Sequence, residues 1–308
     1  MLENKKENFK NWFPGHMKKA RFLIKKNLNN VDVVYEVIDA RAPLSTRNVK
    51  ISNIIKNKIR FLILAKADLA DFSVTRLWVK KLQEEKLFSF AVDCRNFKQT
   101  RKIVDMSYKI LKDHKKSVGK KNLMGEKFRA MVVGVPNVGK SSLINCLAGK
   151  KKAKTGNFPG VTRSEQWISL NENISLLDTP GNLDFNIENE KSFFALQLLG
   201  SIKTGLFDVE HVALNMINFL KDNNAKFLRK QIKADISNSA EVLLEQFAKN
   251  KCFIKKKGEP DLNRAAGFLV KQFSANKLKG ISLEVPNEWK FKTNMLKNLY
   301  KGKFCGTF

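Results

Sequence analysis

The chain has 308 residues, of which 43% are hydrophobic, so it is long and apolar enough for one large domain or two ordinary ones. Its formal charge of +29 at pH 7 indicates a polyanionic partner, and we expect nucleic acid. A lysine-rich coding bias would also raise the charge, but the basic residues cluster: residues 101–130 hold ten Lys or Arg against three Asp or Glu.

Membrane-spanning and disulfide-stabilised classes are disfavoured by the same composition. No apolar run approaches the roughly 18 to 20 residues that span a bilayer, and the polar first residues lack the apolar core of a signal peptide. The four cysteines are widely spaced and include no C-x-x-C pair, which argues against a zinc site or a disulfide framework. We expect a cytoplasmic monomer with no membrane partner.

The first part of the chain alternates short apolar runs with helical segments. Residues 31–39 and 61–64 are predicted strands, and residues 74–86 suit a helix. A strand at 88–92 and a second helix at 98–113 follow. This alternation is typical of an α/β domain with a parallel sheet.

A segment rich in Lys and Gly, residues 114–127, is predicted to be a linker between two parts of that α/β domain. The α/β pattern then resumes, with strands predicted at 128–133, 165–170 and 174–177 and with a helix at 141–148. We assign residues 1–205 to one domain.

The pattern changes at about residue 207, where the alternation of strands ends. Apolar residues recur at helical spacing from there on, among them Val212, Met216, Ile217, Leu220, Leu243, Leu244 and Phe247. We therefore predict that residues 206–308 form a helical domain, and its basic stretch at 255–257 suits RNA or ribosome binding.

Residues Gly134–Ser141 match the phosphate-loop pattern G-x-x-x-x-G-K-[ST] between a predicted strand and a predicted helix. Glycines allow backbone N–H groups to converge on phosphate oxygens at a helix N-terminus. Lys140 is predicted to reach the β- and γ-phosphates, and Ser141 to bind Mg²⁺. The remaining predicted nucleotide contacts of the loop are Asn137, Val138, Gly139 and Ser142.

Three residues beyond the loop occur in the order found in GTPases. Thr162 is predicted to bind Mg²⁺ and the γ-phosphate, and so to take part in catalysis. Asp178 ends a predicted strand and is expected to hold the metal through water, while the amide of Gly181 is expected to sense the γ-phosphate.

A guanine-reading tetrapeptide, Ala65-Lys66-Ala67-Asp68, ends the predicted strand 61–64. The carboxylate of Asp68 can accept hydrogen bonds from N1 and N2 of guanine, and adenine offers no such pair of donors. In an ordinary GTPase this motif follows the phosphate loop, whereas here it precedes it. The inverted order predicts a circularly permuted P-loop GTPase fold with GTP as the substrate.

The motifs resemble those of the ribosome biogenesis GTPase A family, strongly over residues 11–205 and weakly beyond. The shared segments are Trp12-Phe-Pro-Gly-His-Met17, Val37-Ile-Asp-Ala-Arg-Ala-Pro43, Pro136-Asn-Val-Gly-Lys-Ser141, Ala153-Lys-Thr-Gly156, Gln166-Trp167 and Leu176-Leu-Asp-Thr-Pro-Gly181.

This resemblance implies a Ras-like sheet with the GTPase motifs in the order 4-5-1-2-3, followed by a helical domain that binds ribosomal RNA. It also implies slow GTP hydrolysis that the large ribosomal subunit stimulates during late maturation. The fifth motif would fall at Asp93 and Cys94, which match the family poorly. Asn137 corresponds to a loop asparagine that helps to bind K⁺ in the wider class.

Two departures from the family affect the expected activity. Ala65 replaces an asparagine that contacts guanine N7, which should weaken GTP binding by about 2- to 12-fold without removing guanine selectivity. Asn182 stands where many GTPases have a glutamine that orients the attacking water. The resemblance proposes His16 for that role, and the sequence leaves the choice between His16 and Asn182 open.

Other functions stay open at this stage. The protein could be an RNA-binding protein regulated by GTP with little turnover, which Ala65 and the absent glutamine favour. A GTPase of small-subunit assembly is a second alternative, but such relatives usually carry a Cys/His zinc module that this chain lacks. A P-loop ATPase or kinase is disfavoured by Asp68.

Overall fold

The structure is a computed structural model that describes residues 15–48, 53–55, 58–85, 87–117, 127–149, 166–170, 174–178 and 189–286. The chain divides into two compact units. The first comprises residues up to Phe207 together with Lys271–Leu283, and the second comprises Asp208–Val270 and the residues from Glu284 onward. Within the described ranges, no helix has the length and apolar character that crossing a membrane requires.

A six-stranded sheet forms the centre of the first unit. Its strands are β1 (Val33–Asp39), β2 (Ile59–Ala65), β3 (Phe88–Val92), β4 (Phe128–Val133), β5 (Gln166–Ser169) and β6 (Ile174–Asp178). The spatial order is β3-β2-β1-β4-β6-β5, and every neighbouring pair is parallel except β5 with β6. The predicted strands and the parallel α/β class are therefore confirmed.

Helices cover both faces of this sheet. In chain order they are α1 (Gly15–Leu28), α2 (Pro43–Thr46), α3 (Phe72–Glu84), α4 (Phe97–Ser117), α5 (Lys140–Ala148) and α6 (Glu190–Leu198), and a 3-10 turn (Thr204–Leu206) follows. Buried residues of α4 and α5, such as Ile103 and Leu143, join one core cluster with Val33 of β1. On the opposite face, Ile24 of α1 packs in a cluster with Val34 and Met131.

The strand register aligns the carboxyl ends of the parallel strands. Asp39 of β1 lies opposite Ala65 of β2, and Ala65 lies opposite Val92 of β3. Val132 of β4 lies opposite Asp178 of β6. Because loops that follow parallel strands gather at one edge, the base-reading tetrapeptide and the phosphate loop emerge on the same side. This edge is called the carboxyl edge below.

Residues 271–283 belong to the first unit because they bond to its loops. Arg41 is fully buried, pairs with Asp39 at 2.8 Å and donates to the carbonyl of Phe273 at 3.2 Å. The backbone N–H of Leu283 donates to the carbonyl of Arg41 at 2.7 Å. The Ser282 hydroxyl accepts from the backbone N–H of Asp71. The predicted boundary at residue 206 does not account for this returning segment.

The second unit is helical, as the spacing of apolar residues predicts. Its helices are α7 (Val209–Asn223), α8 (Ala225–Ile232), α9 (Ala240–Asn250) and α10 (Leu262–Ser274), whose last residues lie in the first unit. Side chains cap three N-termini: Asp208 for α7, Asn224 for α8 and Ser239 for α9. Helix α7 packs against α8 and α9.

Two local features differ from the sequence-based expectations. Helix α4 continues to Ser117, so residues 114–117 of the predicted linker are helical, while residues 118–126 lie outside the described ranges. Apolar residues Ile103, Val104 and Leu111 keep α4 on the sheet, and its Lys-rich last turn suits the negative end of a helix. Helices α1 and α6 were not predicted from the sequence.

Candidate nucleotide site

The phosphate loop connects β4 to α5 at the carboxyl edge. Gly134 has no substitute there, because a Cβ atom on it would lie 2.3 Å from the backbone oxygen of Val37. Gly139 has a φ of 110°, in the left-handed region, and α5 begins at the next residue. The loop therefore presents backbone N–H groups at a helix N-terminus, which is the arrangement that binds phosphate.

The ammonium group of Lys140 lies inside this loop and not in solvent. Its Nζ donates to the carbonyls of Gly134 at 2.8 Å and Val135 at 2.7 Å, and only 8% of the residue is exposed. Burial lowers the pKa of Lys140 to about 8, although the negative charge of Asp178 acts in the opposite direction. Among the described residues, the groups that accept hydrogen bonds from Lys140 are backbone carbonyls, so this buried cation favours an incoming anion.

Asp178 ends β6 at the same edge and has one carboxylate oxygen that no described residue satisfies. Oδ1 is buried and accepts no hydrogen bond from the part of the chain that the structure describes. Burial raises the pKa of Asp178 to about 6, partly offset by the charge of Lys140. An orphaned buried carboxylate oxygen suits a bound cation, so the residues present fit a divalent metal.

Lys66 connects the tetrapeptide that is predicted to read the base, residues 65–68, to the phosphate loop. Its backbone is left-handed with a φ of 58°, and its Nζ lies 3.1 Å from Oδ2 of Asp39. The same Nζ donates to the backbone carbonyl of Asn137. Burial lowers the pKa of Lys66, and the charge of Asp39 opposes that shift. The lysine therefore fixes the spacing between the two motifs.

Asp39 and Arg41 were not predicted as site residues, yet they hold Lys66 in place. Asp39 is fully buried at the end of β1 and accepts from Nε of Arg41 at 2.9 Å. Burial alone would raise the pKa of Asp39, but the charges of Arg41 and Lys66 lower it to about 2. The sequence indicated an acid at the end of the predicted strand 31–39. It gave no indication that Arg41 and Lys66 would be the partners of that acid.

Asp68 already has a partner in this structure. Nη2 of Arg95 lies 2.5 Å from Oδ2 of Asp68, and Nε of Arg95 lies 2.9 Å from Oδ1 of Asp93. Burial raises the pKa of Asp93, but hydrogen bonds from Arg95 outweigh this and lower it. The structure thus brings predicted residues Asp68 and Asp93 together through Arg95, which the sequence analysis did not select.

Cys94, the other predicted residue of this loop, has its thiol inside the core. Burial raises the pKa of Cys94 to about 12, so the thiol is neutral. Because the residue is also only 5% exposed, a nucleotide contact at this position would involve its backbone. The predicted residue Ala67 lies close by, since its N–H donates to the carbonyl of Val92 at 3.2 Å.

The segment after α6 holds the phosphate loop from the other side. The side-chain amide of Asn137 donates to the carbonyl of Gly200, and the Ser201 hydroxyl donates to the carbonyl of Pro136 at 2.8 Å. Asn137 uses its nitrogen in this bond, whereas a cation would take its oxygen. Ala65 comes close to the loop as well, because a Cβ atom on Gly139 would lie 3.4 Å from that of Ala65.

Several predicted residues lie outside the described ranges, namely Thr162, Gly181 and Asn182.

His16 was predicted to lie in a Pro-Gly turn, but the structure places its backbone in the first turn of α1. Helix α1 starts at Gly15, directly after Pro14, and continues because Ile24 anchors it on the sheet. The His16 side chain is not among those described.

Comparisons with known proteins agree with this geometry. A family profile described as "50S ribosome-binding GTPase" matches residues 129–254. "Ribosome biogenesis GTPase A" of Bacillus licheniformis is 39% identical over 78% of this chain and 85% of its own length. "Probable ribosome biogenesis GTPase A" of Mycoplasma genitalium is 33% identical over 78% of this chain and 83% of its own length.

Solved structures show the same fold. The GDP-bound structure of YlqF from T. maritima superimposes with a TM-score of 0.62 and 28% sequence identity, covering 86% of this chain and all of that one. The GNP-bound structure gives the same TM-score over 88% of this chain and 99% of that one. The permuted motif order, the shared carboxyl edge and these relatives lead to one conclusion: the chain belongs to the ribosome biogenesis GTPase A family, the circularly permuted GTP hydrolases of ribosome assembly.

Proposed function

We propose that the protein binds the precursor of the large (50S) ribosomal subunit through its rRNA and hydrolyses GTP during late maturation, as a cytoplasmic monomer. The observation that carries this proposal is the joining of the base-reading tetrapeptide to the phosphate loop by Lys66 at the carboxyl edge. The formal charge of +29 supports an RNA partner. The matching family profile, described as binding the 50S ribosome, supports the large subunit.

In the proposed reaction, nucleotide binding changes the partners of two side chains. Lys140 exchanges the carbonyls of Gly134 and Val135 for oxygens of the β- and γ-phosphates. Asp68 exchanges Arg95 for N1 and N2 of guanine. Phosphoryl transfer is mostly a matter of positioning and charge stabilisation, and these two residues position the opposite ends of GTP.

Mg²⁺ is the metal that we propose for the site. Ser141 and Thr162 would bind it directly, and Asp178 would hold it through water. Held there, Mg²⁺ would supply positive charge that neutralises the phosphate oxygens. Asn137 would contribute its side-chain oxygen to a K⁺ site beside the phosphates, while its nitrogen could keep the bond to the carbonyl of Gly200.

Hydrolysis also needs a group that orients water in line with the γ-phosphate. We propose His16 for this role, with Asn182 as the alternative. The position of His16 in the first turn of α1 makes the helix N-terminus, and not a turn, the element that would have to bring the imidazole to the site.

Sedimentation of the full chain with separated ribosomal subunits tests the proposed partner. With a slowly hydrolysed GTP analogue, the protein should travel with large subunits or their precursors, and with GDP or with Lys140→Ala it should remain at the top of the gradient. Binding should fall steeply between 50 and 200 mM salt, because contacts with phosphates release counterions. Equal binding to both subunits, or binding indifferent to salt, would contradict the proposal.

A GTP-regulated RNA-binding protein with little turnover is the second candidate for the role on the ribosome. Ala65 in place of an asparagine, and Asn182 in place of a water-orienting glutamine, favour it. A turnover assay separates the two: large subunits should raise the hydrolysis rate well above its basal value. An unchanged rate in the presence of subunits that do bind would favour the second candidate.

A further inference from the structure

One corner of the sheet carries polar side chains on the face that α1 covers elsewhere. Met131 of β4 and Leu177 of β6 lie opposite each other and pack in one cluster with Ile24 of α1. Two residues earlier on each strand, Arg129 and Ser175 lie opposite each other. Because side chains alternate with a period of two, this polar pair lies on the same face.

A cavity of about 480 Å³ opens at this corner. It is lined by Asn27, Asn30, Lys127, Arg129, Trp167 and Ser175. Lys127 precedes β4, whereas the phosphate loop follows it, so the length of the strand, six residues or about 20 Å, separates the corner from the nucleotide site. The sheet corner, as this group of six residues is called below, is therefore a separate site.

Trp167 gives the sheet corner an aromatic surface. It lies on the edge strand β5 and is 45% exposed, which is unusual for the largest apolar side chain. The guanidinium of Arg129 lies 5.8 Å from the centroid of the indole ring. Lys127 extends to the same strand, with Nζ 3.2 Å from the hydroxyl of Ser169.

The charge balance of the sheet corner favours an anion. Among the residues that the structure describes, Asp32 is the acid bonded to this corner, and one of its oxygens accepts from the backbone N–H of Arg129 at 2.8 Å. The other oxygen of Asp32 pairs with Lys115 at 3.3 Å, so its charge is matched. The side chains of Lys127 and Arg129 add two positive charges, and Lys25 and Lys26 lie in the last turn of α1.

We propose that the sheet corner binds single-stranded RNA, with an unpaired base stacked on Trp167 and its phosphate held by Lys127 and Arg129. Unpaired bases stack on exposed aromatic rings, and neighbouring Lys and Arg follow the backbone. The cavity has room for one nucleotide. This inference shares with the proposed function the premise that the polyanionic partner is RNA, but it concerns a different surface from the nucleotide site.

Fluorescence anisotropy with a labelled eight-nucleotide single strand tests the sheet corner on the full chain. Trp167→Ala should weaken binding by about 5- to 150-fold, the range for loss of one base stack, and Trp167→Phe should retain most of the affinity. Arg129→Ala should weaken binding and make it less dependent on salt. A duplex of the same sequence should respond little to Trp167→Ala, because its bases are already stacked.

Phe72→Ala is the matched control. Phe72 is 73% exposed and has Arg76 at 5.8 Å from its ring centroid, so it reproduces the aromatic–arginine pair without the cavity. It should leave RNA affinity unchanged, and every variant should retain wild-type GTP affinity, which reports on folding of the first unit. If no wild-type binding to the single strand occurs, or if Trp167→Ala and Phe72→Ala behave alike, the proposal is overturned.

The same variants distinguish this proposal from the proposed function. Loss of single-strand binding in Trp167→Ala, with no sedimentation of the wild-type chain on large subunits, would leave the sheet corner standing and refute the ribosomal partner. Normal single-strand binding in Trp167→Ala, with impaired sedimentation, would instead mean that the corner contacts a ribosomal protein, and it would overturn the RNA proposal.

Discussion

The two ends of β4 carry opposite kinds of polar surface. At the carboxyl edge, Asp39, Lys140 and Asp178 are each at most 8% exposed, and burial together with nearby charges shifts their pKa values. At the sheet corner, Lys127 and Arg129 are exposed, and neither has the buried, mutually bonded partners found at the other end. Buried charges hold one geometry, whereas exposed ones adapt to a partner and are weakened by salt.

This difference sets the size of the effects that substitutions should have. At the carboxyl edge, removal of one partner leaves another charge buried and unpaired, so effects should be large and insensitive to salt. At the sheet corner they should be smaller and should follow ionic strength.

Lys140→Ala should remove measurable GTP binding, because it removes the ammonium group that lies inside the phosphate loop. Lys127→Ala changes the same type of residue at the other end of β4 and should leave GTP affinity unchanged. Isothermal titration calorimetry on both variants checks the pair. Full GTPase activity in a folded Lys140→Ala variant would remove the basis for the phosphate-loop assignment.

Asp39→Asn should destabilise the first unit by about 3–5 kcal/mol, since Arg41 and Lys66 would lose their buried counter-charge. Asp105→Asn, which breaks the exposed pair with Arg101, should cost no more than about 0.5 kcal/mol. The pKa of Asp39 is lowered on folding, so its contribution is present above its unfolded pKa of 3.8 and is lost as pH falls to about 2. Urea denaturation at several pH values measures this.

His16→Ala should reduce subunit-stimulated GTP turnover by about 10²-fold or more while leaving GTP binding nearly intact. The reason is that a water-orienting group acts on the hydrolysis step and not on binding. Asn182→Ala is the matched variant, and steady-state turnover with and without large subunits is the measurement. If Asn182→Ala abolishes the stimulation while His16→Ala does not, Asn182 is the residue that orients the attacking water.

Arg95→Ala should speed GTP association by at most about fivefold, because guanine would no longer compete with the guanidinium for Asp68. The dissociation rate should stay the same, since the contact is absent once guanine is bound. Stopped-flow measurement with a fluorescent GTP analogue gives both rates. Arg101→Ala serves as the control, and slower association in Arg95→Ala would mean that Arg95 assists binding.

The sequence was sufficient for the parts of the fold that depend on local pattern. The strand Phe128–Val133, the loop after it and helix α5 follow from an apolar run, two glycines and a lysine. The order of the motifs gave the circular permutation. Helix α1 was not predicted because a Pro-Gly pair, which is typical of turns, stands at its start and much of its length is basic.

The partners of the buried charges could not be predicted. Arg41 and Phe273 are far apart in the chain, and nothing local to either indicates their contact. Lys66 was assigned to guanine recognition, but its bonds to Asp39 and Asn137 depend on strand register. Arg95 was passed over because an exposed arginine in a chain with 58 Lys and Arg residues has no distinguishing pattern.

Nucleotide selectivity of Asp68→Asn tests the central claim, that a base-reading tetrapeptide upstream of the phosphate loop completes one permuted GTP site. The claim predicts that the variant loses its preference for GTP and gains affinity for xanthosine triphosphate, because an amide can donate to the additional oxygen of xanthine. Competition binding with GTP, ATP and xanthosine triphosphate measures this. If Asp68→Asn still selects GTP over ATP as strongly as the wild type, residues 65–68 do not read the base.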